Sequence, residues 1–164
     1  LKREKTSKIE AIAKKIQKLT NKYNIKFIIN DDPKLTMKIN ADGCHIGQKD
    51  FNIKKARKIL KNKILGVTCH NSLKLAKDAI TKGANYIALG AFFSTKTKRV
   101  KFRSNFDTLK KVKKFSTIPI TAIGGINEKN YKKLLLNNAD FLAISGYIWK
   151  NKFLKPKEAL IKLK

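Results

Sequence analysis

Phe27-Ile28-Ile29-Asn30-Asp31-Asp32-Pro33, then Asp42-Gly43-Cys44-His45-Ile46-Gly47-Gln48-Lys49-Asp50, carry the reading of this chain. Each is an apolar, strand-like run that ends in an acidic residue, and one short helix separates them. Asp32-Pro33 supplies that helix with an N-cap and a first-turn proline. A strand, a short helix and a second strand within so few residues predict a parallel pair joined by a helical crossover.

The same alternation continues outward in both directions. Upstream, Ile9, Ile12, Ala13, Ile16 and Leu19 share one face of a helix from Ser7 to about Tyr23, with Ser7 and Glu10 in capping-box spacing. Downstream, strands are expected at 64–68, 86–89, 118–122 and 141–144. Helices are expected around Ile53–Leu60, before Gly83, through Phe106, Leu109 and Val112, over 128–137, and from Pro156 to the end. Six βα repeats with short turns mean a parallel sheet with helices outside it. Polar, functional-looking residues follow nearly every strand, as they do where a barrel gathers all its strand ends, whereas a doubly wound sheet concentrates them at one switch point. The predicted fold is α/β, a (β/α)8 TIM barrel N-terminally truncated to about six βα units. Residues 1–164 are expected to form one barrel domain lacking strand 1, helix 1 and most of strand 2.

Composition narrows the class. The 164 residues are 42% apolar, enough for a core, and carry a formal charge of +28. That charge is nearly all lysine, spread over every predicted helix. Arginine, the better fork for phosphates and base edges, occurs only at 3, 57, 99 and 103. No zinc-finger spacing or aromatic RNA-binding strand accompanies it, so specific nucleic-acid binding is not expected. Cys44 and Cys69 make no disulfide framework, no run approaches a membrane span, and a cytoplasmic location is expected.

The series Phe27 to Asp31, Asp42 to Asp50, Gly66-Val67-Thr68-Cys69-His70, Leu89-Gly90, Thr95-Lys96-Thr97-Lys98, Ala122-Ile123-Gly124-Gly125-Ile126 and Ile144-Ser145-Gly146 resembles the thiamine phosphate synthase family over essentially the whole chain. The resemblance implies a transferase of thiamine biosynthesis. Such an enzyme couples 4-amino-5-hydroxymethyl-2-methylpyrimidine diphosphate to 4-methyl-5-(2-phosphooxyethyl)thiazole and releases pyrophosphate. It implies Mg²⁺ as cofactor and a homodimer as the assembly. A thiazole tautomerase relative and a non-catalytic phosphate-binding barrel fragment are the alternatives. The tautomerase would not require Asp31, Asp50 and Lys98 together.

Residue roles follow from the same resemblance. Asp31 and Asp50 match the magnesium aspartates, ending strands that neighbour each other at about 4.8 Å; a helix cap is the competing role for each. Asn30 and Gln48 face the pyrimidine diphosphate. Thr68 stands where serine is usual and keeps a hydroxyl for the diphosphate. Lys98 pairs with the leaving diphosphate, and Thr95 and Thr97 of the same loop meet a substrate phosphate. Ala91 replaces a usual proline, and the glycine usual near Asn105-Phe106 is missing. Gly125, Ile144 and Ser145 match the thiazole-phosphate site. Leu1-Lys2 fits the end of a Gln-x-Arg-x-Lys stretch, which makes Lys2 a second diphosphate lysine; a register through Arg3-Glu4-Lys5 competes but shortens the next helix. His45 and His70 are read as supporting groups, and Cys44 and Cys69 as packing groups at strand ends.

Overall fold

Asparagine ends three of the described helices. A computed structural model describes residues 6–95 and 101–163. In it helix α1 (Thr6–Lys22) stops at Asn24, α2 (Pro33–Lys38) at Asn40 and α6 (Tyr131–Leu136) at Asn138. Each asparagine sits at positive φ, near 51°, 57° and 71° respectively, a region its short amide tolerates. At α2 the N–H of Asn40 donates to Met37 O and that of Ala41 to Thr36 O; at α6 Asn138 donates to Leu135 O and Ala139 to Leu134 O. These paired bonds satisfy the last carbonyls of each helix.

The residues that follow start the next strand. Asn40-Ala41-Asp42 and Asn138-Ala139-Asp140 are the same tripeptide, with the alanine buried each time. Asp42 accepts from the Phe27 N–H at 2.9 Å and from Lys26 Nζ at 2.9 Å. Asp140 accepts from the Ile120 N–H at 2.8 Å and from Lys113 Nζ at 2.6 Å. One carboxylate thereby locks the first N–H of the preceding strand segment.

The chain divides into two compact units. The first runs to Val67 and includes Lys82–Ala84. It holds α1, β1 (Ile28–Asn30), α2, β2 (Gly43–Ile46), α3 (Ile53–Leu60) and the start of β3 (Ile64–His70). Its strands are parallel, with Ile28 opposite Gly43 and Cys44 opposite Leu65. Cys44, Ile46, Ala56, Leu60 and Leu65 are fully buried, as expected of strands covered on both faces. Ala13, Ile29, Ile39 and Ala41 form a cluster with Phe27 and Leu35. Arg57 fastens the end of α3 by donating to the carbonyls of Lys61, Lys63 and Gly83.

The second unit holds the end of β3, α4 (Leu73–Thr81), β4 (Tyr86–Gly90), α5 (Phe106–Phe115), β5 (Ile120–Ile123), α6, β6 (Phe141–Ala143), α7 (Gly146–Trp149) and α8 (Pro156–Ile161). β4 pairs with β5 and β5 with β6, all parallel. Ile87, Leu89, Leu109, Val112, Ile120 and Leu134 fill its core.

Glu10 pairs with Lys38 at 2.5 Å and with Lys14 at 3.0 Å. α1 buries Ala13, but Leu19 is 59% exposed. The four-residue α7 has no counterpart in the sequence reading, because Tyr147-Ile148-Trp149 is too short to show a period.

Candidate active site

The acidic ends of the first unit are shaped by backbone conformation. β1 ends at Asn30, and Asp31 turns into the left-handed region at φ 65° while its N–H still donates to His45 O at 2.7 Å. The His45 carbonyl therefore holds the Asp31 backbone in this turn. The Asn30 amide donates to Asp31 Oδ2 at 2.6 Å. That bond brings two expected site groups together and fixes one carboxylate oxygen. Asp32, not Asp31, caps α2 by accepting from the Leu35 N–H at 2.9 Å.

Asp50 lies in the turn after β2, with its N–H bonded to Gly47 O at 3.3 Å. The cap of α3 is filled by Asn52, whose side chain accepts from Lys55 N–H. That assigns the competing role of Asp50 to another residue. A Cβ at position 47 would meet Asp50 Oδ2, the far end of a side chain that can move aside, so the Asp50 carboxylate lies close over Gly47. Gln48 is exposed in the same turn.

Two carboxylates with hard oxygen donors suit Mg²⁺, which keeps most of its waters and takes substrate phosphates as its remaining ligands. Among the described residues no group of three or more His, Cys, Asp or Glu side chains gathers to hold a metal. Burial pushes the Cys44 thiol up to about 11 and the Cys69 thiol up to about 12. Both stay protonated near neutrality and offer no nucleophilic thiolate.

In the second unit, Thr68 is half-buried near the end of β3. His70 follows at φ 53° and lies against Phe102, with ring centroids 4.6 Å apart. Burial lowers its pKa, so the imidazole is neutral at physiological pH. Asn71, next in sequence, accepts from the Ser104 hydroxyl at 3.0 Å.

These contacts hold the neck of the loop that carries Thr95. Ala91 N–H donates to Phe102 O at 3.2 Å, and Ser104 N–H donates to Ala91 O at 2.9 Å. Alanine at 91 thus uses an N–H that proline lacks. The outgoing limb runs on beside β5, with Phe92 N–H on Ile123 O and Phe93 N–H on Gly124 O. Thr95 is half-buried at its end. Asn105 closes the return limb without glycine: extended at φ −139°, it caps α5 by accepting from Thr108 N–H at 2.8 Å. Lys2, Thr97 and Lys98 lie outside the described residues.

Gly125 has φ 66°, and a Cβ there would overlap Ser94 O and Phe93. Its carbonyl accepts from the Asn130 amide at 3.0 Å. Ile144 is half-buried and Ser145 exposed at the start of α7, where the serine makes no side-chain capping bond. The contacts of His70 with Phe102 and of Tyr147 with Glu128 escape the sequence reading, since partners so far apart in sequence leave no local signal.

A family model described as thiamine monophosphate synthase matches residues 1–148. The thiamine-phosphate synthase of Pelagibacter ubique is 65% identical over 153 residues, covering 93% of this chain and 74% of that protein. That of Clostridium tetani is 45% identical over 138 residues, covering 84% and 66%. The solved structure of a thiamine phosphate pyrophosphorylase from Pyrococcus furiosus superimposes with a TM-score of 0.88 at 29% identity, over 99% of this chain and 77% of that one. A 3-hexulose-6-phosphate synthase matches at a TM-score of 0.69 and 15% identity, which speaks for the fold alone. The fold is that of a (β/α)8 barrel represented by six βα units. Among the described residues no helix is long and apolar enough to cross a membrane.

Proposed function

This chain belongs to the thiamine monophosphate synthase family, and from that premise we propose that it couples 4-amino-5-hydroxymethyl-2-methylpyrimidine diphosphate to 4-methyl-5-(2-phosphooxyethyl)thiazole. It is an enzyme, a transferase of thiamine biosynthesis. The observation that carries the specific reaction is the 65% identity to a thiamine-phosphate synthase. In the reaction the bond from the pyrimidine methylene to the diphosphate oxygen breaks, a bond from that carbon to the thiazole nitrogen forms, and pyrophosphate leaves. The electron-rich aminopyrimidine supports positive charge on the methylene, so bond breaking leads.

Asp31 and Asp50 are the residues that would hold Mg²⁺. When bound, the ion neutralises negative charge growing on the departing diphosphate. The Asn30 amide, already fixed on Asp31 Oδ2, orients that carboxylate and has a second N–H for the pyrimidine diphosphate. Gln48 serves the pyrimidine side, and Thr68 donates its hydroxyl to the diphosphate. Lys98 and Lys2 add cationic charge where the leaving group accumulates negative charge. Gly125, Ile144 and Ser145 take the phosphate of the thiazole, and Thr95 and Thr97 hydrogen-bond either that phosphate or the diphosphate. No side-chain nucleophile takes part, in keeping with two protonated, buried thiols.

The proposal extends to one barrel domain, a cytoplasmic location and a homodimer, with no specific nucleic-acid or membrane partner. The test is direct. The protein is supplied with both phosphorylated substrates and Mg²⁺, and thiamine phosphate and pyrophosphate are measured. Equal amounts of both are expected. Isomerisation of the thiazole phosphate without coupling would reject the assignment.

A further inference from the structure

Two turns of the second unit, one after β5 and one after β6, are tied by a side-chain hydrogen bond. The Tyr147 hydroxyl donates to Glu128 Oε2 at 2.7 Å. Glu128 lies three residues past Gly125, and Tyr147 two residues past Ser145. With Asn127 and Lys129 they line a cleft of about 260 Å³.

The two sides of this bond differ in how firmly they are built. On the β5 side, Asn127 N–H donates to Asn130 Oδ1 at 2.9 Å, Lys129 N–H to Asn127 Oδ1 at 2.9 Å, and the Asn130 amide to Gly125 O at 3.0 Å. That turn is held by its own side chains. On the β6 side, α7 has four residues and none is buried. Its backbone bonds, from Ile148 and Trp149 to Ser145 O, define a turn but not its placement, and so short a helix has little stability of its own. Desolvation, and then the Glu128 carboxylate, push the Tyr147 phenol up to about 12, so the donor proton is present throughout the working range.

We propose that Tyr147 and Glu128 are positioning residues that fix the Ser145 turn relative to the Gly125 turn and so set the affinity for the phosphate of the thiazole substrate. The inference rests on the reading that Gly125, Ile144 and Ser145 receive that phosphate.

The experiment is calorimetric titration of 4-methyl-5-(2-phosphooxyethyl)thiazole into the wild type, Tyr147→Phe, Glu128→Ala, Glu128→Gln and the Tyr147→Phe/Glu128→Ala double variant. Steady-state and single-turnover coupling are measured beside it. Tyr147→Phe and Glu128→Ala should each weaken thiazole-phosphate binding about tenfold, the scale of a hydrogen bond to a charged group. The double variant should be no weaker than the weaker single one, because both lose the same bond. Glu128→Gln keeps an acceptor and should recover most of the affinity. The KM for the thiazole phosphate should rise while the single-turnover rate at saturation and the KM for the pyrimidine diphosphate change far less; a merely structural role would lower the melting temperature without that split. Binding by Tyr147→Phe within twofold of wild type, or equal weakening of both substrates, overturns the proposal. If the wild type binds the thiazole phosphate but does not couple it, the reaction assignment fails and the clamp is judged on the binding series. If the wild type does not bind it, both fall.

Discussion

Replacing Gly125 with alanine should cost more than replacing Gly83 with alanine, although both glycines have positive φ, 66° and 84°. An alanine in the left-handed region costs about 1–2 kcal/mol from its own backbone. At Gly83 that is the whole penalty, because the nearest atom to an added Cβ is Arg57 Nε at 3.5 Å, an ordinary contact. At Gly125 the Cβ would overlap Ser94 O and Phe93, and forcing a methyl into packed surroundings adds about 1–3 kcal/mol. For a protein of this size each kcal/mol moves the melting temperature by about 2–4 °C. Gly83→Ala should therefore lose about 2–8 °C, and Gly125→Ala roughly twice as much. The functional consequence separates them further. Ser94 and Phe93 lead into Thr95, so relief of the overlap displaces the limb that carries it, and the KM for the thiazole phosphate should rise in Gly125→Ala alone. Calorimetric melting and steady-state kinetics of the two variants measure this. Matching melting temperatures and matching KM values would refute the argument that the β5 turn needs glycine for close approach.

Asp31→Asn and Asp50→Asn should each lower coupling by about two orders of magnitude or more, the scale for removing a group that stabilises transition-state charge. Each should also shift the Mg²⁺ dependence to higher concentration; unchanged Mg²⁺ titrations in both would count against the metal assignment. Lys98→Ala should slow single-turnover coupling far more than it weakens thiazole-phosphate binding, because charge on the leaving group grows in the transition state; lost affinity with an unchanged rate would reverse that role. Acid should destabilise the fold in two stages. Burial holds His70 below its ordinary pKa near 6.5, so its contribution is complete above that value and is lost as pH falls through the lower folded pKa. The Phe27 N–H and Lys26 hold Asp42 below the usual carboxylate range. For Asp140, burial acts the other way but is outweighed by Lys113 and the Ile120 N–H, so both contributions disappear only at lower pH. Urea midpoints taken from pH 7.5 to 3 test this, and the upper stage should be absent in His70→Gln.

The fold was legible where punctuation and pattern coincide. Gly43–Ile46 is bounded by Asp42 and Gly47, and the strand occupies those residues. Asp32-Pro33 starts α2 where a cap and a fixed φ predict it. Helix ends were harder. Asn40 and Asn138 stop their helices through backbone bonds that depend on a left-handed residue, and asparagine allows that conformation without demanding it. The repeated Asn-Ala-Asp could be seen as letters, but its work lies in a bond to the preceding strand segment, which no local pattern records. The candidate site divides the same way. Asp31 and Asp50 stand out in the sequence because each follows an apolar run. Asn52 as the true cap of α3, His70 against Phe102, and Tyr147 on Glu128 depend on which neighbours the fold selects.

The left-handed turn at Asp31 places two independent filters on one position. The backbone there admits glycine, asparagine and aspartate with least strain. The Mg²⁺ site proposed there would admit only a short side chain bearing a carboxylate. Aspartate is the one residue common to both sets. In a saturation library, selection for folded protein should enrich Asn and Gly beside Asp at this codon, whereas selection for thiamine independence should retain Asp alone. Glutamate, chemically the nearest relative, should fail the first filter as well as the geometry of the second. At Asp50 no positive φ applies, so the conformational filter is absent there and the chemical selection should be the stricter of the two.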